Sequence, residues 1–307
     1  MFQRVSHGHD HDHDHDHGEK GRAFAIGVCL NFAFVVVEVV FGLASRSMAL
    51  LADAGHNLGD VLGLALAWGA TILVQRKPSK RRTYGMKKAS VLTALINGLL
   101  LVAATGGVAT ESIRRLREPA HVEGVTMIAI ALVGVAVNGG SAMLFMRSSQ
   151  RDLNVRSAFM HLAGDAAIAL GVAAAGGVIL ATHWFALDPI VSLVVSCLVF
   201  VSALGLLRDS LGLIMDSVPE HVDIDRVRAY LAQLGGVREV HDLHVWPMST
   251  TEVALTAHLV MDAMPPDNVL LRRVAKELHD EFEIGHATIQ VETPESDPCH
   301  LAPEDRV

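Results

Sequence analysis

This sequence predicts an α-helical membrane protein in which six transmembrane helices are followed by a small α+β cytoplasmic domain, and three observations carry that expectation. Hydrophobic residues make up 51% of the 307 positions and the mean hydropathy is positive, which is too apolar for an ordinary soluble domain. The apolar residues gather into six runs, each long enough to cross roughly 30 Å of hydrocarbon as a helix. From about Ser217 those runs give way to the periodicities of a water-soluble fold.

Taken in order, the chain opens with a His/Asp-rich tail, residues 1–21, whose tract at 7–17 alternates His with Asp or Gly. Such a tract cannot bury a core and is expected to be disordered, with a chemistry suited to loose capture of metal ions. The spans follow at about 23–44, 48–74, 88–113, 123–146, 156–182 and 187–209, within a membrane domain of residues 22–213. Between the second and third lie Arg76, Lys77, Lys80, Arg81 and Arg82, then Lys87 and Lys88; between the fourth and fifth lie Arg147, Arg151 and Arg156. An excess of cations marks cytoplasmic loops, which puts both termini inside. Arg114, Arg115 and Arg117 fall on the other side, accompanied by Glu111, Glu118 and Glu123.

Small-residue rows, Gly55/Gly59/Gly63 on the second span and Ala163/Ala167/Gly171/Ala175 on the fifth, are expected to admit neighbouring helices. Asn31, Glu38, Asn97 and Asn138 either line a pathway or make interhelical hydrogen bonds worth on the order of 0.6 kcal/mol each. The soluble domain, 214–295, reads as helices at 223–234 and 268–282 and strands at 237–246, 252–261 and 287–292. That order, α-β-β-α-β, suggests a ferredoxin-like open-faced sandwich; a short tail, 296–307, follows.

The chemistry concentrates in two H-x-x-x-D pairs. His56 with Asp60 and His161 with Asp165 each stand at i and i+4, so each pair projects from one helical face. A charged carboxylate near a bilayer centre costs roughly 2.5–3.5 kcal/mol on insertion scales, which argues for function where two spans carry one each. Imidazole nitrogens and carboxylate oxygens are the donors of tetrahedral zinc sites, and two such pairs supply four of them. In the soluble domain His241, His258 and Glu292 are candidate ligands of a second site. Strand alternation predicts that His241 and His244 face opposite ways and cannot both serve it.

Other classes fit less well. The net charge of -8 owes much to acidic residues near the two ends, and no dense basic patch suggests nucleic acid. Cys29, Cys197 and Cys299 offer no spacing for a disulfide framework, and no cleavable signal peptide is visible. A zinc hydrolase would need a bound water and a general base, as in H-E-x-x-H, whereas four protein ligands leave no open position. A membrane-anchored metal sensor or buffer remains as the alternative to a transporter.

These residues resemble the cation diffusion facilitator family of metal/proton antiporters. The likeness spans about 20–294 and rests on Ser47-Met-Ala-Leu-Leu-Ala-Asp-Ala-Gly-His-Asn-Leu-Gly-Asp60, Arg82-Thr-Tyr-Gly85, His161-Leu-Ala-Gly-Asp165, His241-Asp-Leu-His-Val-Trp246 and Thr288-Ile-Gln-Val-Glu292. The resemblance implies a homodimer joined partly through its cytoplasmic domains, embedded in the bilayer of a prokaryotic inner membrane, that exports divalent cations against protons by alternating access. It implies zinc preference from His56, with broader cadmium, cobalt, nickel or iron use as the alternative, and a zinc-binding role for His241, His258 and Glu292. It also likens Cys299 to the first of a terminal Cys pair whose second member is absent here, with His300 next to it.

Overall fold

The computed structural model describes residues 16–146, 153–265 and 267–293. Six long helices come first: α1 (Asp16–Ser45), α2 (Met48–Val74), α3 (Ala89–Arg117), α4 (Gly124–Phe145), α5 (Leu153–Thr182) and α6 (Leu187–Ile214). Helices α2 to α6 are each long and apolar enough to cross a membrane, and α1 contributes a shorter apolar stretch, Asn31–Ser45. Helix α1 starts at Asp16, inside the segment expected to be tail. Extending a nucleated helix adds one hydrogen bond per residue fixed, so an apolar run can carry helix into polar neighbours. The rest of the His/Asp tract, Arg147, Arg151, Cys299 and His300 lie outside the described residues.

The chain divides into two compact units, one gathering the chain through Ala65 with Leu100–Ser202, the other Leu66–Leu99 with the chain from Ala203. In the first unit, α1 stops where Arg46 turns left-handed at φ 58°. The amides of Arg46 and Ser47 then return to the carbonyls of Leu43 and Gly42 at 3.3 and 2.9 Å, a Schellman closure that satisfies the helix end. Helix α2 begins at once under a double cap. Ser47 Oγ accepts from the Leu50 amide at 3.2 Å, and the Asp188 carboxylate of α6 accepts from Ser47 Oγ at 2.6 Å and from the amides of Met48 and Ala49 at 2.7 and 3.1 Å. Asp188 is wholly buried, so its removal strands amides with no water to replace it, each worth about 1–3 kcal/mol. Asp188→Ala is therefore expected to lower the melting temperature of the detergent-solubilised protein by several degrees; an unchanged melt would show that the cap is not needed.

Close helix approach uses small residues, though not wholly those expected. A Cβ on Gly59 would clash with Leu101 of α3, as the α2 row predicts. On α5 the anticipated row is exposed at Ala167 and Gly171, and α4 instead approaches at Gly176, where a Cβ would meet Ile128 at 2.9 Å and the carbonyl of Gly124 at 3.3 Å. Periodicity identifies a small-residue face without saying which of two such faces meets the neighbour. The arginines that oppose the loop bias are partly matched in place: Glu111 accepts from Arg114 at 2.7 and 2.8 Å and from Arg115 at 3.0 Å.

In the second unit α6 closes as α1 does, with Asp216 at φ 56° and the Ser217 amide bonded to the Gly212 carbonyl at 3.0 Å. Lys88 joins the Asp216 carboxylate at 2.6 Å and the Leu213 carbonyl at 2.9 Å, and Lys87 pairs with Glu252. The C-terminal domain runs α7 (Ile224–Ala232), β1 (Val237–Pro247), β2 (Val253–Met261), α8 (Val269–Phe282) and β3 (His286–Glu292), the expected α-β-β-α-β order. Asp223 caps α7 by accepting from the amides of Asp225 and Arg226 at 3.1 Å. Strand β2 is central, antiparallel to β1 and parallel to β3. One sheet face, with Leu243, Val245, Leu255, Ala257 and Leu259, packs into a core with Val227, Leu231, Val274 and Leu278 of the helices. The other face is where the histidines are.

Candidate metal centres

The first centre lies between α2 and α5, and the structure brings all four predicted residues into it. His56 Nε2 stands 3.0 Å from Asp165 Oδ1 and 3.8 Å from Asp60 Oδ2. His161 Nε2 stands 3.3 Å from Asp60 Oδ2 and 3.6 Å from Asp165 Oδ2. Each imidazole thus has both carboxylates as neighbours, and the two rings meet edge to face at 6.0 Å. Donors bonded at 2.0–2.2 Å to one tetrahedral zinc lie about 3.4 Å apart. The four His–Asp separations bracket that value, with His56 and His161 meeting different oxygens of Asp165. His56, Asp60 and Asp165 are the tightest subset, with one donor atom each within 4.8 Å of the others. Exposure is graded: side chains are 7% exposed at Asp165 and 17% at His56, against 35% at Asp60 and 50% at His161.

Behind this set stands a polar layer that sequence reasoning resolved only in part. Glu38 of α1 is wholly buried and accepts from Asn57 Nδ2 at 2.9 Å, so it holds the residue that follows His56. Of the two readings open for Glu38, the interhelical hydrogen bond is the one formed. Asp53, one turn before His56 and also buried, faces the Glu38 carboxyl. Asn97 and Asn138 are buried as well. Their apolar surroundings in sequence mark them as unusual, but which helix each faces is set only by assembly.

The second centre is on the strand face away from the helices. His258 Nδ1 lies 3.0 Å from Glu292 Oε1, His241 Nε2 lies 3.5 Å from Glu292 Oε2, and the two rings meet at 5.3 Å. One donor atom from each of the three falls within 4.8 Å of the others. Among the described residues both ring nitrogens of His241 are buried without a hydrogen-bond partner, and a buried polar group left unpaired costs on the order of 1–3 kcal/mol. A metal ion on one of them would remove its share of that cost, so the donor set fits such an ion.

The expectation that His241 and His244 face opposite ways is corrected here. Register runs His241↔His258 and then His244↔Thr256, so β1 holds one more residue than β2 and the bulge returns His244 to the His241 face. The extra residue sits at Asp242, which is left-handed at φ 49°. Its carboxylate, which sequence analysis did not single out, lies 2.9 Å from His244 Nε2 and 3.4 Å from His258 Nε2. An Asp in a strand flanked by histidines is the available signal, since Asp tolerates this conformation better than most residues.

Two family models match in succession: the cation efflux transmembrane domain over residues 24–215 and the cytoplasmic domain of cation efflux proteins over 219–294. Zinc transporter ZitB of Escherichia coli is 38% identical over 279 residues, covering 90% of this chain and 87% of the relative. The metal cation efflux system protein CzcD of Cupriavidus metallidurans is 32% identical over 282 residues, 92% of this chain and 88% of the relative. A Bacillus subtilis protein named cadmium, cobalt and zinc/H(+)-K(+) antiporter is 30% identical over 277 residues, 89% of each chain. The boundary between the two family matches falls just beyond the end of α6 at Ile214. Matched in both halves and aligned over most of the length of its relatives, this protein belongs to the cation efflux, or cation diffusion facilitator, family of integral-membrane transporters, which are not enzymes.

Proposed function

We propose that the protein exports divalent cations, zinc foremost, in exchange for protons, by alternating access as a homodimer in a prokaryotic inner membrane with both termini cytoplasmic. The observation that carries this reading is the approach of His56, Asp60, His161 and Asp165, each imidazole within 4 Å of both carboxylates, inside two helices able to span a bilayer. Zinc is the substrate here, held by ligands that must be deprotonated to bind it. Loading therefore releases protons, and reprotonation from the far side ejects the ion. Relatives named for zinc, and one named for proton antiport, support both halves of that cycle. His241, His258 and Glu292 are assigned to a second zinc ion in the C-terminal domain, with the unpaired imidazole of His241 as support. A relative named for cadmium, cobalt and zinc favours a second reading in which the metal range is broader.

Uptake into proteoliposomes under an imposed pH gradient, with zinc, cadmium and cobalt compared, tests the proposal. Zinc flux that follows the gradient supports antiport; zinc binding without flux would leave a sensor or buffer. In the same assay, deleting residues 7–17 is expected to raise the half-saturating zinc concentration severalfold and leave maximal flux nearly unchanged. A collapse of maximal flux would place the tail on the transport path.

A further inference from the structure

The second unit contains a cavity of about 560 Å³, lined by Arg82, Tyr84, Met86, Leu92, Ile214 and Trp246 among others, with no proposed metal ligand in its wall. We propose that it holds one anionic phospholipid, the phosphate on Arg82 and an acyl chain along Leu92 and Ile214.

Placement is the first argument. Leu92 lies one turn inside the helix Ala89–Arg117 and Ile214 is the last residue of the helix Leu187–Ile214, past Arg208 and Asp209, so the proposed headgroup side is at the ends of two spans. Tyr84 and Trp246 in its wall are the side chains that favour this depth.

Charge is the second. Seven basic residues and no acidic one lie between Gln75 and Ser90. Of the two lysines lining the cavity, Lys87 is paired with Glu252 and Lys88 with Asp216. Among the described residues Arg82 has no carboxylate partner, and its guanidinium donates to the sulfur of Met86 at 2.6 Å. An arginine without an anion beside a basic loop suits a phosphate, which a guanidinium can hold in bidentate fashion.

Apolar surface is the third. Leu92 is 52% and Ile214 38% exposed, so a headgroup on Arg82 has a surface for its acyl chain directly beside it. A zwitterionic lipid matches the apolar surface but not the charge, and a soluble phosphate ester matches only the charge. Basic pockets between span ends are a recurring way of choosing anionic lipids.

Full-length protein in a nonionic detergent, incubated with phosphatidylglycerol or phosphatidylcholine of the same acyl chains and read by native mass spectrometry, provides the test. The wild type is expected to retain phosphatidylglycerol at least fivefold better, and Arg82→Gln to reduce that excess below twofold. Leu92→Trp, which fills the apolar part, is expected to lower retention of both lipids while the preference persists; both variants should elute as the wild type does. Equal retention of the two lipids by the wild type, or an unchanged excess in Arg82→Gln, overturns the proposal. Displacement of phosphatidylglycerol by glycerol 3-phosphate would assign the cavity to soluble phosphate esters. Disulfide-linked pairs of a Leu92→Cys variant, forming equally with and without phosphatidylglycerol, would assign the surface to a second copy of this chain.

Discussion

Asp165→Ala is expected to lower zinc flux in proteoliposomes by at least about two orders of magnitude while the protein still folds and elutes as the wild type. Losing the hydrogen bond that supports a metal ligand typically costs tenfold to a hundredfold in affinity, and Asp165 is itself a proposed ligand, 3.0 Å from His56 and 3.6 Å from His161. It is also the most buried of the four donors, so no water takes over its charge. With the carboxylate gone, two imidazoles and one carboxylate face a divalent ion, and one proton-exchanging group is missing from the cycle. Asp60→Ala should act alike. Because Asp60 is more exposed and water can fill its place, its residual zinc binding should be the higher of the two. Flux near the wild-type level in either variant would end the four-ligand assignment.

His56→Asp is expected to move the ratio of zinc to cadmium flux about tenfold toward cadmium, equivalent to roughly 1.4 kcal/mol, without abolishing transport. Imidazole suits zinc in a compact tetrahedral shell, whereas a third carboxylate adds charge and variable denticity that accommodate larger or harder ions, iron included. His56 Nε2 has Asp165 and Asp60 at 3.0 and 3.8 Å, so a shorter Asp side chain opens the shell as well as changing its donor. The pH profile should move with it. Protons compete with metal for an imidazole more strongly than for a carboxyl, the weaker base. Wild-type loading should therefore fall as pH drops through the histidine range, while the variant holds its loading to lower pH. An unchanged zinc-to-cadmium ratio at a single pH would show that metal choice is set elsewhere than at the ligands.

Legibility in the sequence followed the range over which each feature is decided. The apolar runs and the strand and helix periods of the C-terminal domain are properties of single segments; the elements of the C-terminal domain lie within a residue or two of those expected, while several of the long helices run past the apolar runs into polar neighbours. The H-x-x-x-D pairs were legible for the same reason, since i and i+4 lie on one face of any helix. Asp188 was not. Near the start of α6 it reads as an acid favourable to its own helix dipole, and only packing shows that it caps α2. Asp242 was missed because strand alternation assumes equal residue counts on paired strands, and the bulge breaks that assumption.

What the sequence by itself determined is the apolar helices α2 to α6, the two like-facing His/Asp pairs and the order of the soluble elements, each following from backbone periodicity within one segment. What only the tertiary structure decided is which donors come close enough to share an ion. The first set needs α2 and α5 side by side, with each imidazole between two carboxylates; the second needs β1, β2 and β3 in one register, with Glu292 carried in by the parallel strand. A metal shell is a condition on distances of about 3.4 Å between groups from helices about a hundred residues apart in the first set and from three separate strands in the second. Only the packing of helices and the pairing of strands can impose it.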